Sequence, residues 1–272
     1  MKKILALLLA ALMALTLVAC GTATSSPSPS PSPTATASPT ATDTPSPSPS
    51  PTPTPIPTPN KTTEAVQGTP KTMDGTNSDP AWATGNTIDV NTPNANDLLG
   101  KGTHPTTTAQ VTTLWDDKNL YIYASVKLDH PLKNDPANTN DNSDSIEFDI
   151  DLSHNTSGTA NVGQGGDANT GIFRIDSQGN VSGQGDYYTA VSANVSGKTV
   201  VAADGSGYTI ALTIPWSSGD VKFAPAAGMT IGFDVQINNA SQNAGRDGLV
   251  TWNDPNTMGW SDSSALGTLT LS

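Results

Sequence analysis

Few side chains in this 272-residue chain can carry out covalent chemistry. Glu64 and Glu147 are the only glutamates. A glycosidase needs two carboxylates about 5–9.5 Å apart across the scissile bond. Glu64 stands next to a proline-rich segment, so only Asp149 and Asp176 remain as partners for Glu147. No G-x-S-x-G motif or zinc signature accompanies them, and His104, His130 and His154 lack H-x-x-x-H spacing. Catalysis is therefore not expected. Binding chemistry is better represented. Trp260 lies in a loop rich in Gly, Asn and Asp, where an aromatic ring is hard to bury and can serve as a flat apolar platform. Such a platform is worth about 1–3 kcal/mol by burial against an apolar ligand face. Charged side chains add hydrogen-bonding contacts of about 1.5–3 kcal/mol each before desolvation.

The only cysteine, Cys20, belongs to the N-terminus. Lys2 and Lys3 precede an apolar run, Ile4 to Ala19, which is shorter than the roughly 20 residues needed to span a bilayer. The run ends in Leu17-Val18-Ala19-Cys20-Gly21, which resembles a bacterial lipobox. That resemblance implies a signal peptide over residues 1–20, lipidation of Cys20, and attachment to the outer face of a membrane through more than one acyl chain. Residues 21–60 form a Pro/Ser/Thr-rich linker with too few apolar residues to build a core. Its alternating prolines favour polyproline II, and about 36 residues at roughly 3.1 Å each reach on the order of 100 Å. From Asn60 onward there are 10 basic and 23 acidic residues, a net charge of −13. Such an acidic domain disfavours nucleic acid as a partner. A monomer is expected.

Residues 61–272 read as a single all-β domain. Leu120, Ile122, Ala124 and Val126 alternate with polar or aromatic neighbours. So do Ile146, Phe148 and Ile150; Tyr208, Ile210, Leu212 and Ile214; and Ile231, Phe233, Val235 and Ile237. Period-two alternation marks strands with one buried face. Shorter candidates are Val111–Trp115, Ile172–Ile175, Val200–Ala203, Leu249–Trp252 and Leu266–Leu271. About ten strands separated by Gly, Asn, Asp and Pro clusters predict a two-sheet antiparallel β-sandwich of immunoglobulin or jelly-roll type, with helices no longer than short turns. Trp82, Trp115, Trp216 and Trp252 are expected in its core.

Several stretches resemble family 9 carbohydrate-binding modules, which are often attached to xylanases. They are TMDGTNSDPAW (Thr72–Trp82), VTTLWDDKNLYIYASV (Val111–Val126), DSIEFDID (Asp144–Asp151), YTIALTIPW (Tyr208–Trp216), and IGFDVQINNA with GLVTWNDPNTMGW (Ile231–Trp260). The resemblance implies binding of plant polysaccharide or oligosaccharide, including at reducing ends, in support of polysaccharide attachment or catabolism. It further implies a glycan gripped between two tryptophans, with a Glu, an Arg, a Gln and an Asn around the stack. Matched residue by residue, these are Glu147 in DSIE, Arg174 in GIFRID, Gln236 in DVQIN and Trp260 as one tryptophan. Strand alternation turns Glu147, Arg174 and Gln236 away from their apolar neighbours. The family's asparagine falls on Thr257, beside Asn256, and its second tryptophan falls near Asp141. Tyr187 or Tyr188 is the candidate to fold over the site in its place. The resemblance also implies structural calcium, for which Asp141, Asp144 and Asp149 are the candidate ligands. Two rival readings follow from related sandwiches and attached enzymes. One is a haem or redox protein using Met73, Met229 or Met258 with a histidine, and the other an accessory component of a glycoside hydrolase.

Overall fold

The computed structural model describes residues 60–94, 99–102, 104–132, 140–156, 161–219, 221–241 and 245–272. The signal peptide, Cys20, the linker up to residue 59 and the Asp135–Thr139 part of the first Asp/Asn cluster lie outside the described residues. The strands begin with β1 (Thr62–Gln67), β2 (Thr87–Val90), β3 (Thr92–Pro93), β4 (Thr108–Trp115) and β5 (Asn119–Lys127). They continue with β6 (Ser145–Asp151), β7 (Thr170–Asp176), β8 (Val181–Gln184), β9 (Ser196–Val201) and β10 (Gly207–Pro215). The last are β11 (Ser217–Ser218), β12 (Val221–Lys222), β13 (Thr230–Asn239), β14 (Gly248–Thr251) and β15 (Gly267–Leu271). One seven-residue helix, α1 (Gly185–Val191), follows β8.

One layer runs β8-β7-β6-β13-β15, with β14 extending the far half of β13; the other runs β4-β5-β10-β9, with β2 against β4. The expectation of two separate antiparallel sheets needs correction. β1 pairs in parallel with β15 through Thr62–Ala65 and then in parallel with β4 through Val66 and Gln67, so the layers join into one mixed sheet. The physical reason is that a strand at a sandwich corner can exchange partners midway and satisfy backbone groups on both layers. With only Ala65 buried, β1 has no continuous apolar face to commit it to one sheet.

The alternation expected from sequence governs the interior. Ile146, Phe148 and Ile150 of β6 and Phe233, Val235 and Ile237 of β13 are fully buried in one cluster with Ile122, Ile210 and Leu212 from the opposite layer. Phe148 and Phe233 stack at 6.3 Å between centroids. Trp82, Trp115, Trp216 and Trp252 are all buried. Trp115 Nε1 donates to the Ser272 carbonyl at 3.1 Å and Trp216 Nε1 to the Asp116 carbonyl at 2.8 Å, giving each indole a partner. β6 and β7 are buried on both faces. Their polar face is covered as well, and this places the site.

Outside that face, His130 ties the segment after β5 to the entry of β6. Its Nδ1 lies 2.8 Å from Asp129 Oδ1 and its Nε2 3.1 Å from Asp144 Oδ1. Burial alone would lower the His130 pKa, but the hydrogen bonds of Asp144 and then Asp129 outweigh it and lift it to about 8. The unfolded value is about 6.5, so the folded state holds this proton more tightly. The resulting stabilisation is complete below the unfolded pKa and is lost as pH rises through the folded one. The melting temperature of the protein should therefore exceed that of the His130→Gln variant by more at about pH 6 than at about pH 9. Thermal melts of the two proteins across that range test this, and a pH-independent difference would refute it.

Candidate functional site

The polar face of the first layer carries three transverse rows fixed by strand register. Asn238 of β13 stands opposite Ser145 of β6 in the first. Arg174 of β7, Glu147 of β6 and Gln236 of β13 stand abreast in the second. Ile172, Asp149 and Asp234 form the third. Slipping one strand by a single residue would swap these side chains with Phe148, Phe173 or Val235. The register that builds the core also builds this surface.

The middle row is a buried, hydrogen-bonded charge pair. Glu147 and Arg174 are 3% and 4% exposed. Arg174 Nε donates to Glu147 Oε2 at 2.7 Å, and its Nη2 lies 2.6 Å from the same oxygen as an ion pair. Asn238 Nδ2 donates to the same oxygen at 3.3 Å, and Gln236 Nε2 to Oε1 at 3.3 Å. Gln236 Nε2 also donates to Asn238 Oδ1 at 3.0 Å, which accepts from Arg246 Nη1 at 2.9 Å. Arg246 Nη2 in turn lies 3.7 Å from Asp141 Oδ2, an ion pair beyond hydrogen-bond reach.

These groups floor a cavity of about 410 Å³. Glu147, Arg174 and Gln236 line it, together with Thr257, Met258, Trp260, Asp141 and Arg246. Ile172, Gln184, Leu249 and Leu99 complete the lining. Trp260 and Met258 are 45% and 47% exposed, so the apolar wall is open to a ligand. Asn256 does not line the cavity and is buried in the loop, its backbone N–H donating to Asp254 Oδ1 at 2.9 Å.

Two buried carboxylates shape the loop that carries Trp260. Asp234 Oδ1 accepts from the Asn253 N–H at 2.8 Å and Oδ2 from the Asp254 N–H at 2.9 Å. Asp254 Oδ2 then accepts from the N–H groups of Gly259, at 3.1 Å, and Met258. Burial raises the Asp234 pKa to about 7 against the opposing pull of these backbone donors. Gly259 permits the close approach, since a Cβ there would lie 2.9 Å from Asp149 Oδ2. Thr257 adopts φ 53, a left-handed conformation uncommon for a β-branched residue. The Trp260 carbonyl accepts from the Gly163 N–H at 2.7 Å and pins the platform to the segment before β7.

Other expected residues stand elsewhere. Tyr187 is fully buried and donates its hydroxyl to the Pro215 carbonyl at 2.8 Å; Tyr188 packs edge-on against Phe173 at 5.5 Å. Neither lines the cavity, so neither replaces the second tryptophan. Both are carried by α1, whose position is set by the tight turn at Gly185 (φ +87), where a Cβ would meet the Val162 carbonyl at 2.3 Å.

The three aspartates expected to hold calcium occupy separate surroundings. Asp141 lines the cavity, and Asp144 is taken up by His130 and by the Ala240 N–H at 2.9 Å. Asp149 is buried, with Oδ1 lacking a hydrogen-bond partner. Asp144 and Asp149 are five residues apart along one extended stretch, roughly 16 Å, which is too far to share one ion. They do not form a common ligand set, and among the described residues no group of three or more His, Cys, Asp or Glu is placed to hold a metal ion. Burial first, then the charges of Glu147 and Asp234, push the Asp149 carboxyl well above the usual range. Met258 lines the cavity, but no histidine does; His130 pairs with Asp129 and Asp144, and His154 Nδ1 bonds Thr230 at 3.0 Å. Sequence reasoning missed the site roles of Arg246, Asn238, Leu249 and Gln184, and named Met258 only as a candidate haem ligand. Arg246 carried one signal, as the only arginine besides Arg174.

The sequence between residues 73 and 272 matches the family model described as "Carbohydrate family 9 binding domain-like". An endo-1,4-beta-xylanase A of Thermoanaerobacterium saccharolyticum is 34% identical over 208 residues, 76% of this chain and 16% of that enzyme. An exoglucanase XynX of Acetivibrio thermocellus is 33% identical over 208 residues, 76% of this chain and 17% of that enzyme. This chain thus spans about a sixth of the length of these curated relatives. Among solved structures, a family 9 carbohydrate-binding module from Caldicellulosiruptor kristjanssonii in complex with cellotriose superposes with a TM-score of 0.62 at 21% identity. The alignment covers 78% of this chain and 94% of that one. The corresponding glucose complex gives the same TM-score at 22% identity.

Removing one member of the buried pair leaves the other charge without compensation, which typically costs about 3–5 kcal/mol. Arg174→Ala should lower the unfolding free energy by about that amount, whereas Arg174→Met combined with Glu147→Gln should cost less. Denaturant titrations of the three proteins provide the comparison. Equal losses in both variants would show that Glu147 does not depend on Arg174 for its charge.

Proposed function

The chain belongs to the family 9 carbohydrate-binding domain-like proteins, and from that premise we propose that it is a surface lipoprotein whose cavity holds a glycan, engages reducing ends, and keeps the cell in contact with polysaccharide. The domain is a binding module and not a catalytic one. The observation that carries the reading is the union, in one cavity, of a half-exposed tryptophan with a preorganised row of planar polar groups. Trp260 offers its face to the C–H side of a sugar ring. Arg174, Glu147 and Gln236 stand ready for hydroxyls, already desolvated and oriented by one another. None of the histidines lines this cavity, so a haem ligated there by Met258 and a histidine has less support.

Anchoring is supported by the lipobox-like run ending at Cys20, and reach by the Pro/Ser/Thr linker. Metabolic labelling with a fatty acid should mark the full-length protein in bacterial cells and fail to mark Cys20→Ser. An unlabelled parent protein would remove the anchor from this picture.

For binding, isothermal titration with gluco-, xylo-, galacto- and manno-configured disaccharides and their reduced alditols is decisive. Saturable heat is expected with at least one sugar, absent with its alditol, and weakened about tenfold or more in Trp260→Ala. Binding that survives reduction would remove reducing-end recognition alone. Silence across the panel would remove the carbohydrate reading of this cavity.

A further inference from the structure

We propose that Asp141 and Arg246 form a polar wall facing Trp260 that selects pyranoses carrying an axial ring hydroxyl, galacto- or manno-configured, over gluco- and xylo-configured ones. This rests on the carbohydrate-binding reading of the same cavity and narrows it.

The strand register sets the two walls at opposite ends of the floor. Arg246 is tied to Asn238, which shares a row with Ser145. The platform loop is packed at the other end, where Gly259 sits against Asp149 and Gly163, bonded to the Trp260 carbonyl, sits against Ile172. Ser145 and Asp149 are four residues apart on β6, roughly 13 Å along the strand. Glu147 and Arg174 lie midway. One wall is thus aromatic and the other ionic, with the hydrogen-bonding row between them.

Sugar stereochemistry reads this asymmetry. In the usual chair, β-gluco and β-xylo rings present only axial C–H bonds on both faces, so both faces suit an aromatic neighbour. Inverting C4 or C2 leaves the face bearing H3 and H5 unchanged and raises one hydroxyl perpendicular to the other face. With the unchanged face on Trp260, that hydroxyl points to the Asp141–Arg246 end. It can donate to the Asp141 carboxylate and accept from the Arg246 guanidinium, making two charge-assisted bonds. The two charges stand 3.7 Å apart, so each keeps capacity for such a bond. A gluco ring would set C–H bonds against two charged groups and displace their water without compensation. A site built to bond a hydroxyl discriminates strongly against the ligand that lacks it.

The test is NMR titration of the protein with galactose, mannose, glucose and xylose, the β anomers read separately from the α anomers with their axial O1, repeated for Asp141→Asn, Asp141→Trp, Arg246→Lys and Trp260→Ala, with a thermal melt of each variant. Galactose or mannose should bind at least about tenfold more tightly than glucose and xylose. Asp141→Asn and Arg246→Lys should shrink that ratio, and Asp141→Trp should turn it toward glucose. Equal affinities for all four sugars, weakened together by Trp260→Ala, would overturn the selectivity and leave the carbohydrate reading intact. A ratio untouched in well-folded Asp141 and Arg246 variants would overturn the assignment to this pair. No saturable binding of any of the four, or of the disaccharides, would overturn both.

Discussion

The charge on Glu147 constrains this structure more than any other group. It sits in a central strand buried on both faces, where an unpaired carboxylate is several kcal/mol out of balance. Only a register that brings Arg174 abreast of it on one side and Gln236 on the other resolves this. The same register sends Phe148, Phe173 and Val235 into the core. Packing and recognition are thus not separable along β6, β7 and β13. A strand slipped by one residue would bury a bare guanidinium among aromatics and expose phenyl rings in the cavity at once. The neighbouring polar residues follow the same rule. Asp151 accepts from the N–H groups of Ser153 and Asn155, and Ser145 accepts from Asn238. Asp149 retains an oxygen without a partner among the described residues, and its burial raises its pKa.

The aromatic wall depends on a second use of buried carboxylates. The stretch from Trp252 to Asp262 has no helix or strand to satisfy its backbone, yet lies largely buried. Asp234 and Asp254 supply the acceptors that regular structure would have provided. Asp234 projects from the floor strand itself, so the wall is referenced directly to the floor. A platform on an untethered loop would lose side-chain and backbone entropy on every binding event. Here that ordering belongs to folding.

Much of this is legible in the sequence. Alternation located β5, β6, β10 and β13, because each has one apolar face and a period of two is unambiguous there. The four core tryptophans were recognisable from their places in strand-like motifs, and Trp260 from its place in a polar loop. Corner strand β1 was not legible: Thr62–Gln67 has one buried residue and no pattern, and its parallel pairing with two partners is a property of the assembled sandwich. The places of Arg246 and Met258 in the cavity were not legible for a related reason. Both lie in loops, where sequence spacing carries no direction, and only the hydrogen bond to Asn238 and the carboxylate-held turn reveal where each belongs. The three aspartates named as calcium candidates stand in separate surroundings, because nearness in sequence along an extended strand is distance in space.

The division of labour among the cavity's groups follows from how many hydrogen bonds each has left. Glu147 Oε2 already accepts from Arg174 and Asn238, and Oε1 accepts from Gln236. The floor therefore enters binding with most of its capacity used inside the protein, and a ligand hydroxyl must share or replace those bonds. Shared bonds orient a sugar more than they hold it, since every new bond to the ring weakens one already made within the floor. Net affinity must then come mainly from the walls, where Trp260 and Met258 are half-exposed and Asp141 and Arg246 are held only loosely to each other. In the proposed complex, a rigid, saturated floor beneath two less committed walls would fix where the ring lies and leave its identity to be read at its faces.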